Sequence, residues 1–193
     1  PTPPHECSSQ RQMCIRDSGD IGIGYEDGAL EPHWHLGHGN ESVTLNGVAT
    51  SLGLDGEEYE VFDITPRTDV TQTIGGISYY VFPLTENPSI PFIGFGTGEL
   101  DSSDWTDNLT LSLTGASGPG SFYLFSPPGE FGGGVSTLMD SSDGFSTVDN
   151  ILLEPGTHTH YTMAFSQVGS YDLTFEVSGN HVSDGAQLAT ATY

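Results

Sequence analysis

Between Tyr171 and Ser178 apolar and polar residues alternate without a break. Tyr171, Leu173, Phe175 and Val177 interleave with Asp172, Thr174, Glu176 and Ser178. A period of two sends one set to a core and the other to water, which is the mark of a half-buried strand. Residues 108–114 repeat the pattern, with Leu109, Leu111 and Leu113 facing in and Thr110, Ser112 and Thr114 facing out. Ile21, Ile23 and Tyr25 open a further strand. The stretches 78–82 and 92–95 are nearly all apolar, as expected of strands covered on both faces. Turn formers punctuate these runs: Glu26-Asp-Gly28, Asn46-Gly47, Gly75-Gly76, Gly118-Pro-Gly120, Pro127-Pro-Gly129, Gly132-Gly-Gly134 and Asp184-Gly185. No window keeps a 3.6-residue apolar period. The pattern predicts an all-β fold of roughly ten to twelve short strands, a mostly antiparallel β-sandwich of immunoglobulin-like or jelly-roll-like type.

Length and composition refine this. The chain has 193 residues, with 26 Gly and 12 Pro, which suits one sandwich domain better than two independent units. Asp plus Glu number 26 against 3 Lys plus Arg, for a formal net charge of -23. That balance argues against nucleic acid and anionic membranes as partners, because phosphate binding relies on Lys and Arg. It favours cations and solubility. No apolar stretch reaches the length of a membrane helix.

The N-terminal segment reads differently from the rest. Met13-Cys-Ile-Arg-Asp-Ser18 resembles the translation of a transposase mosaic-end adapter, a contaminant of shotgun metagenomes. Residues 1–18 are therefore expected to be a non-native or disordered leader, and residues 19–193 the domain. Both cysteines, Cys7 and Cys14, fall in that leader, so no disulfide is assigned to the fold. Outside it the chain has no lysine and one arginine, Arg67. The absence of an initial Met and the ending within strand-like Ala189-Thr-Ala-Thr-Tyr193 lead us to expect a fragment without its targeting ends.

The candidate chemistry lies in the histidines. Five of the six outside the leader fall in two clusters, His33-Trp-His35-Leu-Gly-His38 and His158-Thr-His160. In a strand, residues two apart share a face, so each His-x-His pair aims both imidazoles the same way. The second pair is read as continuing into 161–165. There Tyr161, Met163 and Phe165 form the core set, and the histidines lie opposite, beside Thr162 and Ala164. In the first strand Leu30, Trp34 and Leu36 form the apolar set; Glu31, His33 and His35 form the other. If the two strands are neighbours, four imidazoles converge. Hence His33, His35, His158 and His160 are the expected ligands of one divalent transition metal, Zn, Cu or Mn among the candidates. The alternative is that they are surface histidines with no ligand. His38 and His181 are assigned to surface loops.

Other motifs carry less. Asp101-Ser-Ser-Asp104 and Asp140-Ser-Ser-Asp-Gly144 lack calcium-loop spacing and read as Asx-turns. There is no Gly-x-Ser-x-Gly elbow, and no carboxylate pair stands out. Trp34 and Trp105, if exposed, would suit stacking on sugar rings, although packing is the ordinary role. Gly28 to Gly47, with Pro32-His-Trp-His35 and Glu41, is similar to a first cupin motif, and Pro155-Gly-Thr-His158 to a second. The spacings around Glu41 and between the halves depart from that pattern.

Several segments together resemble the bacterial choice-of-anchor M, or actinobacterial-type surface-anchored, domain family. They are Gly19-Asp-Ile-Gly-Ile-Gly-Tyr-Glu-Asp-Gly28, Pro32-His-Trp-His35, Pro91-Phe-Ile-Gly-Phe-Gly-Thr-Gly-Glu99, Leu111-Ser-Leu-Thr-Gly-Ala-Ser-Gly-Pro-Gly120, Asp140-Ser-Ser-Asp-Gly144 and Leu153-Glu-Pro-Gly-Thr-His-Thr-His160. The resemblance covers about residues 19–193. It implies an exported, non-catalytic, cell-surface domain followed by a C-terminal anchor. Relatives are often encoded beside metal-type ABC transporters, so the resemblance also implies metal capture with such a transport system as a partner, and it matches the histidine positions 33, 35, 158 and 160. The chain departs from it at Tyr161-Thr-Met, where relatives often carry Asn-Trp. A structural, adhesive or glycan-binding surface module is the runner-up, and a cupin-like metalloenzyme the more distant alternative.

Overall fold

The computed structural model describes residues 18–36, 42–45, 48–51, 66–85, 92–128 and 134–193. Expectations that rest on residues 1–17, His38 or Glu41, or on the side chains of Trp34 and His35, lie outside what is described. The described chain is an all-β, sandwich-like domain of fifteen strands, more than the sequence pattern resolves, and no α-helix is present among the described residues. Accordingly none of its helices is long and apolar enough to cross a membrane.

The strands form three main sheets and a small hairpin. In the first sheet the order is β12 (His158–His160), β7 (Phe92–Gly96), β1 (Ser18–Glu26) and β2 (Ala29–Leu36). The second runs β10 (Thr137–Asp140), β9 (Phe122–Phe125), β13 (Thr162–Phe165), β6 (Ile77–Phe82) and β5 (Thr71–Ile74). The third runs β11 (Asn150–Leu153), β8 (Leu109–Ser117), β14 (Asp172–His181) and β15 (Gly185–Thr192). The hairpin is β3 (Ser42–Leu45) with β4 (Val48–Ser51). Pairing is antiparallel except between β1 and β7, which run parallel.

Turn chemistry sets the hairpins. Asp27 and Gly28 both take positive φ, 49° and 85°, between the paired residues Glu26 and Ala29. This two-residue geometry matches the natural twist of a hairpin, and it is why Asp-Gly stands there. Asp101 and Asp140 each accept from the backbone N–H and the hydroxyl of the serine two residues on, the Asx-turns expected from the sequence.

All three sheets turn apolar faces toward one core. Ile21, Ile23, Ile93 and Phe95 come from the first, Phe82, Phe122, Leu124, Met163 and Phe165 from the second, and Leu109, Leu111, Leu113, Phe175 and Val177 from the third. Phe175 meets Phe95 of the first sheet and Phe122 of the second, with ring centroids 6.1 and 6.3 Å apart. The alternation read for residues 108–114 and 171–178 holds, and Tyr79, Val81 and Phe82 confirm two-sided burial in β6. Tyr171 donates its O–H to the Gln167 carbonyl at 2.8 Å, a short-range tie before β14 of the kind found at a tyrosine corner.

Two expectations need correction. Residues 158–165 are not one strand: the chain leaves the first sheet after His160 and enters the second at Thr162. As a result Thr162 and Ala164 are buried rather than exposed beside the histidines, Ala164 in a second cluster with Tyr79, Val81 and Phe125. The period-two pattern could not reveal this, because a sheet covered on both faces accepts small residues on its second face as readily as a solvated sheet does. Trp105 is buried, at 6% exposure, in the ordinary packing role expected of it.

Candidate functional site

The first sheet is apolar on one face and nearly bare on the other. Along β1 the core residues Ile21 and Ile23 alternate with Asp20, Gly22 and Gly24; along β7, Ile93 and Phe95 alternate with Gly94 and Gly96. Register aligns these positions across the strands. His160 pairs with Gly94, which pairs with Asp20, which pairs with position 35. One step along, His158 pairs with Gly96, Gly96 with Gly22, and Gly22 with His33. Paired residues share a face, so the described side chains of both histidine clusters and Asp20 rise from the same side, over a floor of glycine.

The floor lets side chains from separate strands meet. A Cβ on Gly94 would sit 2.6 Å from Asp20 Oδ1 and 2.7 Å from His160 Nδ1. Asp20 from β1 and His160 from β12 therefore lean across the intervening strand toward each other. Asp20 Oδ2 lies 2.8 Å from His158 Nε2, within ion-pair range but outside the angular range of a hydrogen bond.

β12 is held in place by Thr97, the residue that follows β7. Its hydroxyl donates to the Glu154 carbonyl at 2.6 Å, its N–H donates to the Thr157 carbonyl at 2.8 Å, and its carbonyl accepts from Gly156 N–H at 2.9 Å. The 154–157 turn is thereby pinned to the strand end, and the His-x-His pair follows in register.

Ligand-capable atoms of Asp20, His158 and His160 all lie within 4.8 Å of one another. Asp20 is 3% exposed. Its Oδ1, with Nε2 of His158 and of His160, is buried without a hydrogen-bond partner. Buried polar atoms are nearly always paired; here His158 Nε2 has the Asp20 carboxylate as its ion-pair neighbour, while Asp20 Oδ1 and His160 Nε2 have no hydrogen-bond partner. The tautomer of His160 suits a metal ligand. Its Nδ1 lies 3.1 Å from the Ile93 carbonyl, which can only accept, so Nδ1 carries the proton and Nε2 presents a lone pair. Burial lowers the His160 pKa below its usual 6.5, which keeps the ring neutral and able to ligate. Phe92 stacks on that ring, with centroids 3.7 Å apart, and fixes its plane.

The expected four-histidine cluster is not formed by neighbouring strands. β12 and β2 are the outer strands of the sheet, with β7 and β1 between them, so the two pairs stand about 14 Å apart by strand spacing. The side chain of His33 engages other groups, with Nδ1 2.9 Å from the Glu31 carbonyl and Nε2 3.2 Å from Glu99 Oε1. Asp20 was absent from the sequence-derived set. Its signal was a carboxylate at the polar phase of the Ile21, Ile23 alternation, but only pairing could show that it stands one strand from β7. His181 is also corrected. Instead of sitting in a loop it ends β14, stacks on Tyr25 at 4.4 Å and pairs with Asp184 at 3.0 Å. Tyr25 donates to the same carboxylate at 2.6 Å, and burial together with Asp184 pushes its pKa up to about 12. That group is satisfied internally and bridges the first and third sheets.

Compared with family models, curated proteins and solved structures, the chain gives no match.

Proposed function

We propose that this chain is a non-catalytic, exported cell-surface domain that binds one divalent transition metal through Asp20, His158 and His160. The observation that carries the reading is the gathering of one buried carboxylate and two imidazoles, with ligand-capable atoms of Asp20, His158 and His160 within 4.8 Å of one another. Two imidazoles and a carboxylate suit Zn, Cu or Mn. A tetrahedral ion with bonds of ~2.1 Å holds its donors about 3.4 Å apart, a spacing that small side-chain rotations would give from the present positions. The acidic chain, at -23, raises the local concentration of cations.

Zinc, copper and manganese calorimetry on the full chain tests this. One ion per chain is expected, with binding abolished in His158→Ala/His160→Ala. That variant keeps Cys7 and Cys14, so it also reports any thiol-bound metal. The variant should still fold without metal, with a loss of about 1 kcal/mol in thermal unfolding from the His160 contacts to Ile93 and Phe92. Equal affinity in the two proteins would rule the site out.

A further inference from the structure

We propose that Thr97 is a positioning residue of the metal site: its buried hydroxyl fixes the register in which β12 aims His158 and His160 at Asp20. The proposal rests on the metal-binding reading above and names what that site depends on beyond its three donors.

Strand register is set by an apolar pattern or by turn geometry. β12 is three residues long, stands at the edge of its sheet and contains no apolar residue, so it has no pattern of its own to set one. Yet the site depends on register. A slip of one residue along β7 would turn both imidazoles toward the core face and leave Thr159 in their place. On the exit side one residue outside both strands, Tyr161, separates β12 from β13. The anchor in the second sheet therefore leaves a residue of slack, and the turn at 154–157 must supply the constraint.

Thr97 grips that turn. Two residues after Phe95, it continues the core phase of Ile93 and Phe95 and is 1% exposed. A hydroxyl in that phase is costly unless it is hydrogen-bonded, and its bonds go to the turn. Oγ1 lies 2.6 Å from the Glu154 carbonyl and 3.1 Å from the Thr157 carbonyl, and it accepts the Thr157 N–H at 3.2 Å. Thr157 directly precedes His158, so the hydroxyl holds the residue from which the strand starts. The Glu154 carbonyl also accepts from the Thr157 hydroxyl at 2.7 Å. Removing the Thr97 hydroxyl thus loosens the turn without leaving that carbonyl unpaired.

Zinc calorimetry and NMR on the full chain, below its unfolding transition, test this. Thr97→Val keeps the side-chain shape and loses the hydroxyl. It should weaken zinc binding by about 10–100-fold, the range for groups that orient ligands. Without metal it should also lose the cross-strand contacts that pair His160 with Gly94. Thr97→Ser keeps the hydroxyl and should match the wild type in both. Gly156→Ala strains the same turn with Thr97 intact, since Gly156 has a φ of 79° and an added Cβ would lie 3.2 Å from the Leu100 carbonyl oxygen. It should lose affinity in the same direction, and it carries the test if Thr97→Val does not fold. Wild-type affinity in folded Thr97→Val, or in Gly156→Ala in its stead, overturns the proposal and leaves β13 as the anchor. An equal loss in Thr97→Ser overturns it by assigning the effect to packing. So does weakened zinc binding with the His160–Gly94 contacts intact, because register is then not the route. Failure of the metal reading shows separately, as His158→Ala/His160→Ala binding zinc like the wild type, and the metal-free contacts still decide whether Thr97 sets the register.

Discussion

Strands β7 and β8 share a rule and differ in outcome. Both alternate, and both send every second residue into the same core: Ile93 and Phe95 from β7, Leu109, Leu111 and Leu113 from β8. On the opposite face β8 carries Thr110, Ser112 and Thr114, which complete that face with their own side chains. β7 carries Gly94 and Gly96 there, and its neighbours fill the vacated space. A polar face finished by its own residues is structural and tolerant. A glycine face makes the position of each neighbouring side chain depend on a Cβ that is missing, and so it can build a site.

The contrast is broken most forcefully from the core. Phe175→Ala removes a ring, 1% exposed, that touches both other sheets, and should cost about 3–5 kcal/mol in denaturant unfolding. Metal affinity per folded molecule should stay as in the wild type. If affinity collapses along with stability, the two regions are not separable.

Next comes the glycine face. Gly94→Ala should weaken zinc binding by about 10–100-fold, the range seen when groups that orient ligands are disturbed. Gly96→Ala, on the same strand and face, should leave it unchanged because its Cβ has clearance of 3.8 Å. Calorimetry on the two variants sharpens the comparison, and equal losses would show that the floor acts through strand propensity rather than through Gly94.

The β8 side has its own buried carboxylate, and both of its oxygens accept hydrogen bonds, whereas Asp20 Oδ1 accepts none. Asp149 accepts from Asp140 N–H, Ser146 N–H and the Ser146 hydroxyl. Burial raises its pKa, but those hydrogen bonds outweigh it and hold the carboxyl below the usual range. A depressed folded pKa adds stability that is present above the unfolded value near ~3.9 and is lost as pH falls through the folded one. Asp149→Asn should therefore cost about 1–3 kcal/mol at neutral pH. The gap to wild type should narrow in acid, followed by denaturation from pH 7 to pH 2. A gap independent of pH would show that the charge is not what the turn binds.

The smallest effect is expected at the tie before β14. Tyr171→Phe removes the O–H given to Gln167 and should cost about 1 kcal/mol in thermal unfolding, with metal binding untouched.

How much of this was legible depends on whether the signal is local. The alternation in β8 and β14 was readable because each strand has one wet face, which gives period two a visible partner in Thr, Ser, Asp and Glu. The break at Tyr161 was not readable. Thr162 and Ala164 look like an outward face, and their burial comes from Tyr79, Val81 and Phe125, which are distant in sequence. His158 and His160 were legible as a pair with a common direction, because i and i+2 share a face in any strand.

The sequence by itself determined the all-β class, the core faces of the principal strands, the Asp27-Gly28 and Asx turns, and the shared facing of His158 and His160. All of these follow from backbone geometry over a few residues. The tertiary structure alone decided which strands lie side by side. It set β7 and β1 between β12 and β2, parted the two histidine pairs, and brought Asp20 in as the third donor. Strand order is settled by how three sheets fill one core, an energy summed over residues far apart in the chain, and no local pattern encodes that sum.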